Sequence, residues 1–166
     1  MNVRNVHERV LDVPAFDLAA LLDGLASPDD ALWPRHLWPA MKFDRPLQVG
    51  AVGGHGPIRY SVEEYKPGRR IRFRFTAPRG FHGTHAFSVE PVDDGHTRLR
   101  HILELRTTGP ALVSWPIVVR PLHDALVEDA LDMAERRMGA TPCPRDWSPW
   151  VRALRRMLAR RRDRDR

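Results

Sequence analysis

The chain holds a single cysteine, Cys143, among its 166 residues, so no intrachain disulfide can form and no paired-cysteine metal or redox motif exists. Lysine is almost missing too. Only Lys42 and Lys66 accompany the 25 arginines, and against that bias no single arginine signals a special role. No run of 18 apolar residues is available to cross a bilayer, and residues 1–7 lack the basic-then-apolar order of a secretory signal. Paired catalytic carboxylates, nucleophile motifs and cofactor fingerprints are also lacking. These absences exclude a disulfide scaffold and a membrane span. They lead to the expectation of a cytoplasmic protein that needs no cofactor.

The net charge of +6 is unevenly placed. Residues 1–144 carry 18 Lys/Arg against 18 Asp/Glu, whereas 145–166 carry nine Arg against three Asp. A nucleic-acid binder builds its positive patch into the folded face, so nucleic acid is not an expected partner of the neutral body. The division implies a domain over 1–139 and a basic tail over 140–166.

Val3 to Leu11 reads as a strand. Pro14 then opens a helix bearing Leu18, Leu21, Leu22 and Leu25, with Gly24 as its stop. Ser27-Pro28 predicts a second short helix leading to Trp33-Pro34 and Trp38-Pro39. From Pro46 the apolar period falls to two, which is strand spacing. In Arg70 to Ala77, Ile71, Phe73 and Phe75 face one way and Arg70, Arg72 and Arg74 the other. Ile58, Tyr60 and Val62 alternate likewise, and Lys66-Pro67-Gly68-Arg69 joins the two strands by a type II turn. Gly83, His85, Phe87 and Val89 share one face of the next strand, and Leu99, His101, Leu103 and Leu105 one face of the strand after Asp93-Asp94-Gly95. The expected sheet is an antiparallel meander.

A helix is expected over Pro121 to Met138. Leu122, Leu126, Val127, Ala130, Met133, Ala134 and Met138 fill one half of its circumference, and Asp124, Glu128, Asp129, Asp132, Glu135 and Arg136 the other. The apolar half must cover the sheet's concave face, and space left between them is the candidate site.

This order, together with Glu8-Arg9-Val10-Leu11-Asp12-Val13-Pro14 before a Leu-rich helix, Tyr65-Lys66-Pro67-Gly68-Arg69 before an aromatic strand, and Gly95-His96-Thr97-Arg98-Leu99 opening the next, resembles the SRPBCC superfamily over residues 3–138. The resemblance implies the helix-grip fold of START domains, Bet v 1-like proteins and polyketide cyclases: α+β, with a curved antiparallel sheet wrapped around a long C-terminal helix and two short helices after the first strand. It also implies a hydrophobic cavity. None of the matching residues is a catalytic signature.

Strand parity turns His85 and His101 inward. If the Asp93-Asp94-Gly95 loop pairs Val92 with His96, Phe87 opposes His101 and His85 lies on the diagonal, about 7–8 Å away. The two imidazoles either share a ligand, proton or water, or are buried histidines bonded to a neighbour such as Tyr60. His123 also falls on the helix's apolar arc. Three inward histidines suggest zinc, but no His-x-x-x-His or His-x-His spacing fixes two on one element, and no metal is expected. The expected cavity lining is Tyr60, Phe73, Phe75, His85, Phe87, His101, Leu103, His123 and Leu126. Trp38, His55 and His82 are expected at its mouth, with Gly53-Gly54-His55-Gly56 as a flexible turn rather than a phosphate loop, since a strand and not a helix follows.

In the tail, Trp147, Trp150, Val151, Leu154, Met157 and Leu158 form an apolar arc flanked by arginines. Residues 147–162 therefore suit an anionic membrane surface or dock on the body, with Arg160 to Arg166 disordered in either case. Three functions follow: a binder of a small, largely apolar molecule with a polar group, an aromatase/cyclase-like enzyme using His85, His101 or Tyr60 as acid or base, or an interaction domain recruited to membranes. An uncovered sheet edge would also permit a homodimer.

Overall fold

The computed structural model describes residues 1–164, with side chains through 159. Strand β1 (Asn2–Leu11) is followed by α1 (Ala15–Asp23), β2 (Lys42–Phe43), β3 (Val52–His55), β4 (Ile58–Lys66), β5 (Arg70–Ala77), β6 (Phe81–Pro91) and β7 (Thr97–Thr107). Helix α2 (Ala111–Ser114), a π-helical turn (Trp115–Val119) and α3 (Arg120–Arg137) then run on from one another, and α4 (Pro149–Arg164) comes last. The strands form one antiparallel sheet in the order β1-β7-β6-β5-β4-β3-β2. This is the helix-grip architecture: an open curved sheet with a long C-terminal helix across it.

Local chemistry fixes the strand register. Gly68 adopts φ +67°, which the β4–β5 turn requires and glycine accepts without strain. Between β6 and β7, the Asp93 carboxylate accepts the backbone N–H groups of Gly95 and His96, and Val92 N donates to His96 O. That turn sets Phe87 opposite His101 and His85 opposite Leu103. The outward arginines of β5 lie among carboxylates: Arg72 reaches Glu63 at 3.1 Å and Glu64 at 3.3 Å, so this stripe is a charge-paired outer face.

Gly53 and Gly54 lie within β3 rather than in a flexible turn, which falls instead at Gly56-Pro57. A β-carbon on Gly53 would run into the Lys42 carbonyl, and one on Gly54 into the Ile58 carbonyl. Close passage of three backbones is what the glycines allow.

One helix, not two, follows β1. The segment expected to be helical from Ser27 folds as successive turns around Asp30, whose carboxylate accepts N–H groups of Ala26, Leu32 and Trp33. A side chain that satisfies three backbone donors outcompetes the helical ladder, and Pro34 and Pro39 remove further donors.

The helical path to α3 starts earlier than Pro121, at Ala111. Pro116 and Pro121 are both accommodated, because the turn between them widens to π geometry. Since Pro121 has no N–H, the Ile117 carbonyl four residues back loses its normal partner. The Trp150 indole N–H of α4 fills that place at 2.7 Å.

Helix α4 docks on the body. Val151 and Leu154 are buried, the Trp147 indole N–H donates to Asp129 at 3.0 Å, and the Arg155 guanidinium lies over both Trp38 and Trp147. Its backbone stays helical through Arg164, beyond the disorder expected from Arg160. Residues 165–166 lie outside the described part.

Candidate functional site

A cavity of about 170 Å³ lies between the concave sheet face and the path from the π turn to α3. Its walls include Phe75, His85, Phe87, His101, Leu103, His123 and Leu126, all expected from strand parity or helix periodicity. Trp115, Phe81, Val118, Val119 and Leu122 line it as well, as do Trp38 and His55, expected at the mouth, and the exposed Pro39, Gly56, Pro57 and Leu158. Trp38 is also an anchor, its indole N–H donating to Asp129 at 2.6 Å.

Three expected site residues sit elsewhere or differently. His82 alternates with the inward Phe81, so it points to the outer face, where it meets Thr108 at 3.1 Å and is exposed. It is no part of the mouth. Tyr60 and Phe73 face inward but stand behind the lining, fully buried, because Phe43 from the short strand β2 packs over both rings. The polar lining therefore rests on histidines.

Those histidines form a continuous row of rings. His55 and Tyr60 have centroids 5.9 Å apart, Tyr60 and His85 4.9 Å, His85 and His101 5.5 Å, His101 and His123 5.1 Å, and His123 and His7 6.0 Å. Two chemically different ends result. At the inner end, β1 presents Asn5, His7 and Arg9 to the carboxylates of α3. His7 donates from Nδ1 to Glu128 at 2.6 Å and from Nε2 to Asp124 at 3.2 Å, Asn5 donates to Asp124 at 3.0 Å, and Arg9 donates to Glu128 at 2.5 Å. Part of the helix's polar half is thus a charged clamp on β1, and Asp132 is buried in it.

Burial works against a charged His7, but its bonds to Asp124 and Glu128 outweigh that and raise its pKa. Both carboxylates are in turn held below their ordinary range: their own burial is outweighed by His123 and His7 at Asp124, and by His7 and Arg9 at Glu128. His7, His123 and Asp124 bring one ligand atom each within 4.8 Å of one another, the one group among the described residues suited to hold a metal ion. A proton on His7 meets the same charge balance.

The middle of the row stays neutral. Burial holds His85 and His101 well below the usual histidine range, with neighbouring histidines adding to it. It pushes His55 down to about 3, helped by His123 and Arg59. It also lowers His123 against the opposing pull of Asp124, and raises the Tyr60 hydroxyl.

His85 Nδ1 and His101 Nε2 are 3.3 Å apart, so one donates to the other. Whichever nitrogen carries that proton, the two outer nitrogens are then one N–H and one bare lone pair. Those outer atoms, His85 Nε2 and His101 Nδ1, are buried without a partner among the described residues. The same holds for His123 Nε2 and the Tyr60 hydroxyl. Buried polar groups are nearly always satisfied, and this cluster in an apolar cavity is the site's main chemical feature.

No protein-family model and no curated protein sequence matches the chain. Solved structures do. One is the solution structure of a Thermobifida fusca protein, 18% identical with TM-score 0.60, covering 87% of this chain and 99% of that one. Norcoclaurine synthase from Thalictrum flavum, in complex with dopamine and hydroxybenzaldehyde, is 14% identical with TM-score 0.61, covering 86% and 90%. CalU16 from Micromonospora echinospora is 14% identical with TM-score 0.58, covering 95% and 84%. At such identities the likeness is one of fold alone: this chain shares with these structures the helix-grip arrangement of sheet and C-terminal helix.

Proposed function

We propose that the protein binds a small, largely apolar molecule carrying one group that both donates and accepts a hydrogen bond, such as a phenol. The observation that carries this reading is the set of unpartnered nitrogens on His85, His101 and His123 within an otherwise apolar wall. A hydroxyl seated at either outer nitrogen of the His85–His101 pair meets an N–H with its oxygen or a lone pair with its proton, since a hydroxyl can play both parts. The volume sets the size, since a 150 Å³ apolar cavity takes benzene. One or two fused rings fit, and a longer chain must project through the mouth. The bound aromatics of norcoclaurine synthase concern that protein, but they agree with a ring-sized occupant in this fold.

The experiment compares 2-naphthol with naphthalene by calorimetry or intrinsic fluorescence. The hydroxyl is expected to improve affinity about tenfold, the size of one well-made hydrogen bond, and His101→Phe should erase that difference while leaving naphthalene binding in place. Failure of both compounds to bind, or equal affinity for both, overturns the reading.

A second reading, an aromatase/cyclase-like acid–base catalyst, draws on the same pair. Two hydrogen-bonded neutral imidazoles can take a proton at one end and release one at the other. Turnover of an enolisable aromatic ketone, followed by solvent deuterium incorporation and lost in both His85→Phe and His101→Phe, would favour it. Binding without exchange would leave the protein a carrier.

A further inference from the structure

We propose that Asp124, a residue outside the cavity wall, decides the chemistry of the ligand. It holds the proton of His123 on Nδ1, leaves Nε2 a bare acceptor, and so selects a molecule whose polar group donates a hydrogen bond over one that can only accept. The choice of ligand rests on the cavity reading; the position of the proton does not.

Three donors converge on one oxygen of Asp124. Asn5 Nδ2 reaches Oδ1 at 3.0 Å and His7 Nε2 at 3.2 Å, and His123 Nδ1 lies 3.4 Å from the same atom. Burial opposes charge on this carboxyl, but His123 and His7 outweigh it and hold the group below its ordinary range. It is therefore ionised, and an ionised carboxylate only accepts. Burial also lowers the pKa of His123, against the opposing pull of Asp124, so that ring is neutral and carries a single proton. A lone pair on Nδ1 would face the negative oxygen and be repelled, whereas an N–H is attracted. The proton belongs on Nδ1, and Nε2 is bare.

That bare nitrogen is buried without a partner among the described residues. His123 stands in the cavity wall next to His101, their ring centroids 5.1 Å apart. The His85–His101 pair offers one N–H and one lone pair at its outer atoms, so with His123 the unpartnered histidine nitrogens present two lone pairs to one N–H. An acceptor-only group, such as an ether or a ketone, satisfies the N–H and leaves both lone pairs unmet. A hydroxyl can turn its proton to one of them. The selecting charge thus sits on the clamp between β1 and α3, where it touches His123 and not the ligand.

Proton–nitrogen NMR correlation on the full chain, isotope-labelled in its histidine ring nitrogens, reads the proton position directly, with His123→Phe identifying the signal. The parent is expected to carry the His123 proton on Nδ1, and Asp124→Ala should move it wholly or partly to Nε2. Affinities for 2-naphthol and 2-methoxynaphthalene then read the selection. The parent should prefer the naphthol by about tenfold or more, and His123→Phe and Asp124→Ala should each lower that ratio by about fivefold or more. A ratio of two ligands on one protein is insensitive to a general loosening of the fold. A parent with the His123 proton on Nε2, or a ratio unchanged in both variants, overturns the proposal. The parent spectrum and His123→Phe decide the matter if Asp124→Ala does not fold. Naphthol binding beside an Nε2 proton removes this assignment alone, whereas an Nδ1 proton in a chain that binds neither naphthol nor naphthalene removes the cavity reading and the selection with it.

Discussion

His85 Nδ1 and His101 Nε2 stand 3.3 Å apart across neighbouring strands, and each satisfies the other at one nitrogen while leaving the second without a partner. The pair is therefore costly to the fold as well as suited to a ligand. Replacing both members by apolar side chains removes both unsatisfied atoms of the pair, whereas replacing one strands its partner. His85→Leu with His101→Leu is expected to match or exceed the parent in urea unfolding. His101→Leu alone should lose about 1–3 kcal/mol. A double variant less stable than either single one would contradict this account.

Acid should unfold the protein steeply. His55, His85, His101 and His123 all have lowered pKa values in the fold, so below about pH 6.5 the unfolded chain binds protons that the folded chain does not. For each such histidine, stability falls as pH drops, by about 1.4 kcal/mol per unit once well below that value. His7 has the opposite sign: with its raised pKa, its contribution is complete below about pH 6.5 and is lost as pH rises through the folded value. Urea midpoints should therefore drop sharply between pH 6.5 and 5. A flat profile there would show that the histidine row is protonated or open to solvent in the native state.

The bond from Trp150 to Ile117 replaces the one that Pro121 cannot make. Trp150→Phe should loosen α4, costing about 1 kcal/mol and speeding hydrogen exchange through 149–158. Adding Pro121→Ala restores a backbone N–H near the Ile117 carbonyl and should recover part of the lost stability. Equal exchange in the parent and Trp150→Phe would mean the bond holds nothing.

Arg155 sits over the rings of Trp38 and Trp147, 4.4 Å and 3.8 Å from their centroids. Arg155→Ala is expected to cost about 1–2 kcal/mol and to raise tryptophan accessibility to iodide quenching. Unchanged quenching would place the docking energy of α4 in the buried Val151 and Leu154 and the indole bonds of Trp147 and Trp150 instead.

Much of the sheet could be read from the sequence, because strand parity and turn chemistry are local. Alternation turned His85 and His101 inward, and the Asp93 turn set their register. What escaped depends on pairing across long separations. Asn5, His7 and Arg9 meet Asp124 and Glu128 more than 110 residues away, and the stripe of acids named no partner by its spacing. One signal was present: Asp124, Glu128, Asp132 and Glu135 recur at helical spacing, opposite a strand whose inward positions are polar. Phe43, on a strand of two residues, gave no pattern at all, so nothing warned that it would cover Tyr60 and Phe73. The helix expected at Ser27 failed for a local reason, the Asp30 side chain.

Strand β1 has β7 as its single neighbour in the sheet, and the connection between them is nearly the whole meander. Closing a loop of that length carries an entropy cost of about 4 kcal/mol before any contact rewards it, so this seam is set to be the last of the sheet to zip. His7 rides on β1, and the inner end of the histidine row is built only when that seam closes. A chain with β2 through β7 already paired would still hold an unfinished pocket, open on the side where Asp124 and Glu128 await their cations. Ligand binding should thus report completion of folding rather than collapse, and lag the gain of sheet signal in refolding.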